Sequence, residues 1–161
     1  MKQKGFSLIE LLIVVAIILI IAAIAIPNLL RSRIAANEAA AVGALRTLNS
    51  AEVTYQTTYP DIGFTCSFDY LGPGNGLPSS TSAGLIDATL TTHNKSGYGF
   101  WRVSAGSCPV VNGIQSTYQL GAQPLTPGQT GQRYFCTDQS GSILYDASTS
   151  IINCMTSGKS L

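Results

Sequence analysis

From Leu11 to Ile26 the chain carries no polar side chain, and this run limits the fold more than any other feature. A helix that is hydrophobic on every side has no face to offer water, so it belongs in a bilayer or inside an assembly. As a helix, Phe6 to Ile26 rises about 31 Å at ~1.5 Å per residue, enough to cross the hydrocarbon core of a membrane. Lys2 and Lys4 come before it. Basic residues ahead of an apolar stretch mark export signals and membrane anchors, because positive charge is held on the cytoplasmic side. An ordinary secretory signal is the competing reading, with Ala22-Ala23-Ile24-Ala25 imitating its cleavage site. Against it, the apolar stretch exceeds the usual length of such a signal's core, and an ionisable Glu10 interrupts it.

The 161 residues fit one domain, and only 11% of them are charged, against roughly 25% in a typical soluble domain. Nine basic and eight acidic side chains, with no basic block beyond the first residues, leave no electrostatic footprint for nucleic acid or for acidic substrates. Apolar residues concentrate at the N-terminus, whereas the chain beyond Tyr59 is rich in Gly, Ser, Thr and Pro. The expected object is an apolar rod joined to a polar head.

Glu10 is the most informative residue. A carboxylate inside an apolar span costs roughly 2.5 to 3.5 kcal/mol on insertion scales, so it calls for a partner. No Lys or Arg lies between Lys4 and Arg31. A cut after Gly5 would create one, the α-amino group of Phe6, four residues away. An intrachain contact is open to this pair, but a neighbouring copy offers better geometry, and two molecules would then satisfy each other. The plainer alternative is that Glu10 reaches the interface or stays protonated.

The run Gly5-Phe6-Ser7-Leu8-Ile9-Glu10-Leu11-Leu12-Ile13-Val14-Val15-Ala16-Ile17, followed by Pro27-Asn28-Leu29, strongly resembles the class III signal of type IV pilins and type II secretion pseudopilins. The resemblance covers the N-terminal third. It implies cleavage between Gly5 and Phe6 by a prepilin peptidase, N-methylation of Phe6, residence in the inner membrane, and extraction by assembly machinery into a helical homo-oligomeric filament on the cell surface. In that family the residue matching Glu10 pairs with the N-terminal amine of an adjacent subunit, and the helix around the residue matching Pro27 can unwind in filaments. Loss of Lys2 and Lys4 leaves seven basic against eight acidic side chains, a nearly neutral mature chain.

Beyond Pro27, which lacks an amide hydrogen and weakens the helix at the join, the segment from Asn28 to Tyr59 continues as helix. Val42, Leu45, Leu48, Tyr55 and Tyr59 recur at helical spacing and form one stripe for a partner surface, expected to be the head's own sheet. Arg31, Arg33, Asn37, Glu38, Arg46 and Glu52 are assigned to the remaining, polar faces. Turn formers dominate from Pro60 to Asn94, with a short helix or turn expected over Leu85 to Leu90, starting near Ser82 or Ala83. Four strands follow in order: Tyr98 to Val103, Thr117 to Ala122, Arg133 to Thr137 and Ser142 to Asp146, the last two joined by an Asp138-Gln139-Ser140-Gly141 turn. The predicted fold is thus α+β: a long N-terminal helix packed on a four-stranded antiparallel sheet, an order that resembles the pilin fold. The expected divisions are 1–5 leader, 6–27 membrane and filament-core helix, 28–59 amphipathic helix, and 60–161 disulfide-bonded head.

Cys66, Cys108, Cys136 and Cys154 all lie in the head, and an even count in an exported domain argues for two disulfides. Three pairings are open. The preferred one joins Cys136 to Cys154, closing the C-terminal strands, and leaves Cys66 with Cys108 to pin the long loop. Pilins often carry a C-terminal disulfide bounding a surface loop, and Cys136 with Cys154 fits that role. Metal ligation is disfavoured by the spacings, with His93 the only other soft ligand. Asp138 and Asp146 invite comparison with the calcium sites of some pseudopilins, but the oxygen-rich loop spacing is missing.

No catalytic constellation emerges, and no cofactor is implied. His93 reads as an exposed loop residue, and Gly72 to Gly76 lacks the Lys-Ser/Thr and strand-to-helix setting of a phosphate loop. Asn94-Lys95-Ser96 matches a glycosylation acceptor, a pattern short enough to arise by chance. Phe6, Tyr55, Tyr59 and Trp101 are explained by packing rather than by electron conduction or base stacking. The sequence therefore reads as a non-enzymatic type IV pilus subunit. The alternatives are a type II secretion pseudopilin, a minor pilin and, more remotely, a tethered binding module or enzyme. Motility, adhesion, DNA uptake and secretion are not distinguished by sequence, nor is helical symmetry. Replacing Gly5 with a large residue is expected to block processing; mature protein of unchanged mass in that variant would refute the cut site.

Overall fold

The computed structural model describes residues 7–103, 110–147 and 150–161. The chain forms two compact units, one ending at Arg33 and the other running from Ile34 to Leu161. Helix α1 (Leu8–Thr58) contributes to both. It ends ahead of Pro60, since a residue preceding proline is pushed away from helical backbone angles.

Within the second unit the expected stripe is the core. Val42, Leu45, Leu48 and Tyr55 are buried, Ala41, Ala44 and Ala51 fill the gaps between them, and Tyr59 is partly buried. Small residues at those gaps let the helix backbone approach the sheet. Opposite them stand Tyr98, Phe100, Leu120, Ala122 and Phe135, the inward residues of three neighbouring strands.

The sheet has six strands rather than the four expected. They are β1 (Asn94–Lys95), β2 (Tyr98–Arg102), β5 (Gln119–Pro124), β6 (Tyr134–Asp138), β7 (Ile143–Asp146) and β8 (Lys159–Ser160), in that spatial order, and every neighbouring pair is antiparallel. A separate hairpin joins β3 (Val110–Val111) to β4 (Ile114–Gln115). The four predicted strands are the central ones, displaced by a residue or two, and they form the expected meander. The two additions are edge strands of two residues each, too short to show an alternation of their own; pairing with a neighbour creates them. The β6–β7 turn falls where expected, with the Gly141 amide donating to the Asp138 carbonyl at 2.9 Å and Gly141 at φ 75°.

Three short helices complete the head: α2 (Phe68–Leu71), α3 (Ala88–Thr91) and α4 (Ile151–Ser157). Sequence patterning predicts neither α2 nor α4, and α3 starts later than Ser82 or Ala83. Its cap is Asp87, whose Oδ1 accepts the Leu90 amide at 2.8 Å. Helix α4 lies on the face of the sheet opposite α1. A Cβ at Gly121 would collide with Ile151 Cγ2, so that strand position has to be glycine for α4 to sit down. Cys136 on β6 and Cys154 on α4 are joined by a disulfide with Cα atoms 6.0 Å apart. Cys66 is also disulfide-bonded. Its expected partner Cys108 lies outside the described residues.

The polar residues of α1 depart furthest from expectation. Glu38 and Glu52 face the sheet and are buried. Glu38 accepts the amides of Gln132 at 2.9 Å and Arg133 at 3.2 Å, and its Oε2 lies 2.7 Å from Arg133 Nη2. Glu52, with no exposed surface, accepts Thr65 N–H at 2.8 Å, Thr65 Oγ1–H at 2.9 Å and Arg102 Nη1–H at 2.9 Å. Asn37 donates to the Thr130 carbonyl, while Asn49 donates to Thr137 Oγ1 and accepts the Tyr118 hydroxyl. The physical reason is pairing: a carboxylate is tolerated in the interior when a cation and backbone donors meet it there. Arg31, Arg33 and Arg46 remain exposed, as expected.

The disulfide closes a loop with a sequence separation of 18. Replacing Cys136 and Cys154 together by Ala is expected to lower the stability of the head by about 3 kcal/mol, read by urea denaturation under non-reducing conditions. The packing also carries a pH dependence. Burial, with the Glu52 and Asp138 carboxylates nearby, pushes the Tyr118 hydroxyl up to about 12. An unfolded tyrosine titrates near 10, so above that pH the folded chain holds the more protons and stability falls as pH rises from about 10 toward 12. A tyrosinate absorbance titration of the folded protein should show this late-titrating hydroxyl, and Tyr118→Phe should remove it.

Candidate functional site

The first unit contains a helical segment whose large apolar side chains are exposed among the described residues. Leu8, Ile9, Leu11, Leu12, Ile13 and Val14 are exposed, and so are the large apolar residues onward to Leu30. An 18-residue window of this helix has a mean hydropathy of 3.3 and is 0% buried within the chain. No face of the segment is polar, so no rotation of it would hide the apolar surface from water. At roughly 25 cal/mol per Å², exposure of this kind is a strong drive toward a bilayer or toward other copies.

Glu10 stands in the first turn of α1, exposed, and its Oε2 accepts the Ser7 amide at 3.0 Å. The Leu11 amide in turn donates to the Ser7 carbonyl at 3.3 Å. Ser7 with Glu10 three residues on is the Ser-x-x-Glu pattern of a capping box, here with its glutamate half formed. Reading Glu10 for charge pairing alone misses this contact; the Ser-x-x-Glu spacing is the signal that finds it. A backbone amide supplies only a partial positive charge. Among the described residues the ion pairs are Lys95–Asp87, Arg102–Glu52 and Arg133–Glu38, so Glu10 has no cation there.

Pro27 sits inside α1, where its missing N–H leaves the Ala23 carbonyl without its usual helical donor. Gly5 and Phe6 lie outside the described residues. The structure thus brings Glu10 and the apolar run onto one helix and leaves the proposed cleavage point undescribed. The disulfide residues are separate from this segment and belong to the head.

Among the described residues the head offers no competing site. Its groove of about 330 Å³ is lined by Ala35, Glu38, Ala39, Val42, Arg46, Arg133 and Leu161, and its acidic member is already engaged by Arg133. Among the described residues no group of three or more His, Cys, Asp or Glu side chains converges as a metal cage. His93 is not the exposed loop residue expected. It is half-buried at φ 62°, tilted against Phe68 at 5.1 Å between ring centroids and stacked on Trp101 at 6.3 Å. The turn that follows α3 fixes it between those two rings.

Residues 1–26 match the family model of the prokaryotic N-terminal methylation motif. Over 55 residues, 34% of the chain, the protein is 51% identical to the type IV wide pilus major component PilA4 of Thermus thermophilus. Over 97 residues, 60% of the chain, it is 29% identical to the type II secretion system core protein G of Escherichia coli. The chain thus carries the N-terminal methylation motif and is similar, over part of its length, to a type IV pilin and to a type II secretion core protein. The matches span 42% and 61% of the lengths of those two relatives. No solved structure shows significant similarity. The methylation-motif signal and the apolar helix that follows it fit a precursor held in the inner membrane, where lipid would be the first cover for the exposed segment.

Proposed function

We propose that the chain is the structural subunit of a type IV pilus, held in the inner membrane as a precursor and then polymerised into an extracellular filament. The carrying observation is the helical run from Leu11 to Ile26, apolar on all sides and left uncovered by the described residues. Lipid covers it before assembly, and identical helices cover it afterwards. Lipid tails are as apolar as neighbouring helices, so hydrophobicity alone does not choose between them. Glu10 makes the choice. In lipid the carboxylate is left with the Ser7 amide, whereas a neighbouring copy brings the α-amino group of a processed Phe6 and sets the register between subunits. In this reading a prepilin peptidase cuts between Gly5 and Phe6, Phe6 is N-methylated, and Pro27 is the weak point at which the helix adapts. The role is non-enzymatic, and the partners are other copies and the assembly machinery.

A pseudopilin of a type II secretion system is the second reading. It is favoured by the longer alignment, whose 97 residues extend beyond α1 of this chain into its head. The higher identity to a pilus major component favours the first. Shearing separates the two, because a pilus subunit is released in long filaments and a pseudopilin stays in the envelope.

Glu10→Gln and Glu10→Ala are expected to insert and be processed normally while the sheared fraction falls sharply relative to the membrane pool, measured by immunoblot and N-terminal mass spectrometry. Normal filaments from either variant would sink the pairing.

A further inference from the structure

The chain contains two Asn-Gly pairs, Asn75-Gly76 and Asn112-Gly113, and the fold treats them in opposite ways. Asn112 and Gly113 are the two turn residues of the β3–β4 hairpin, at φ 54° and 84°, and both flanking residue pairs are in register, Val111 with Ile114 and Val110 with Gln115. Two positive φ values in a two-residue hairpin turn hold the backbone in one conformation. Asn75 and Gly76 instead stand at the exposed tip of the loop between α2 and α3, beside Leu77, which is 91% exposed. Neither makes a hydrogen bond among the described residues, and a Cβ at Gly76 would meet nothing within 4 Å.

We propose that Asn75 is a site of spontaneous deamidation, a modification that marks the age of the protein by adding negative charge at this loop tip. The Gly76 backbone nitrogen attacks the Asn75 side-chain carbonyl carbon. That nitrogen loses its proton, and the side-chain amide nitrogen leaves as ammonia, closing a five-membered succinimide ring. Water then opens the ring. Attack at the former backbone carbonyl gives isoaspartate and attack at the former side-chain carbonyl gives aspartate, with no oxidant or reductant involved. The ring needs the Asn75 backbone to rotate until the next nitrogen reaches the side chain. Glycine puts no side chain in the way, and no hydrogen bond to described residues resists the rotation. At Asn112 the same rotation would break the hairpin register. Each event replaces a neutral amide by a carboxylate, taking the formal charge of the chain from +1 to 0. Isoaspartate also lengthens the main chain by one methylene next to Leu77. The inference rests on this loop and is independent of the filament reading.

The test incubates the purified full-length protein in oxygen-18 water at mildly alkaline pH, so that conversion in the tube is told apart from conversion in the cell. After reduction of the disulfides, trypsin separates the two sites, since Thr47–Lys95 holds Asn75 and Val103–Arg133 holds Asn112. The expected result is label at residue 75, mostly as isoaspartate, appearing several-fold faster than at residue 112. In urea that difference should disappear, because the hairpin no longer restrains Asn112. Gly76→Ala, which fits the open space, should slow residue 75 several-fold and leave residue 112 unchanged. Absence of label at residue 75, equal or faster conversion at residue 112 in the folded chain, or an undiminished rate in Gly76→Ala each overturns the assignment.

Discussion

A carboxylate in a protein interior has to be met by a cation or by several donors, and α1 brings two of them into the head. Glu38 and Glu52 are each met by an arginine from the sheet side, Glu38 also by the Gln132 and Arg133 amides just ahead of β6 and Glu52 also by the amide and hydroxyl of Thr65 in the loop between α1 and α2. These contacts specify which loop closes against which turn of the helix, something an apolar stripe alone does not do, since one greasy face slides against another at little cost. Arg133 also lies over the rings of Phe135 and Tyr145, so its guanidinium is held from more than one side. Burial raises the pKa of Glu52, and the Arg102 charge and the Thr65 donors work against that rise. The register of helix on sheet thus depends on donors that arrive from distant parts of the chain.

The glutamate of the first unit is the counter-case. Among the described residues Glu10 has a single amide for company and no cation, on a segment whose large apolar side chains are exposed. The same side chain that locks the head when paired leaves the first unit incomplete when unpaired. This difference is the physical content of the pilin reading: one helix carries a finished interface in the head and an unfinished one near its N-terminus. The match to the N-terminal methylation motif fits a membrane as the first cover for that unfinished interface.

The outer face of the sheet shows how small features cooperate. Gly121 leaves room for Ile151, Cys136 and Cys154 hold α4 in place, and Ser150 caps the helix by accepting the Ile152 amide. A helix of this length would not survive alone in water. It exists because a covalent bond and a glycine seat hold it on the sheet.

Much of the architecture was legible in the residues themselves. Unbroken apolarity, a preceding pair of lysines, Glu10 and Pro27 carry their meaning locally, and so do the helical stripe from Val42 to Tyr59 and four strands bounded by glycines. Periodicity and charge are properties of consecutive residues, so they survive without a partner in view. The edge strands β1 and β8, the helices α2 and α4, and the inward turn of Glu38 and Glu52 had no such signal. A two-residue strand is defined by its neighbour, and a glutamate on a helix reads as solvent-facing until an arginine from far along the chain is placed against it. Sequence by itself determined that the chain has an apolar helix needing cover and a cysteine-bearing α+β head. Tertiary structure alone decided which charges are buried, which Asn-Gly pair is restrained and what covers the back of the sheet, because each of these depends on contacts between residues remote in sequence.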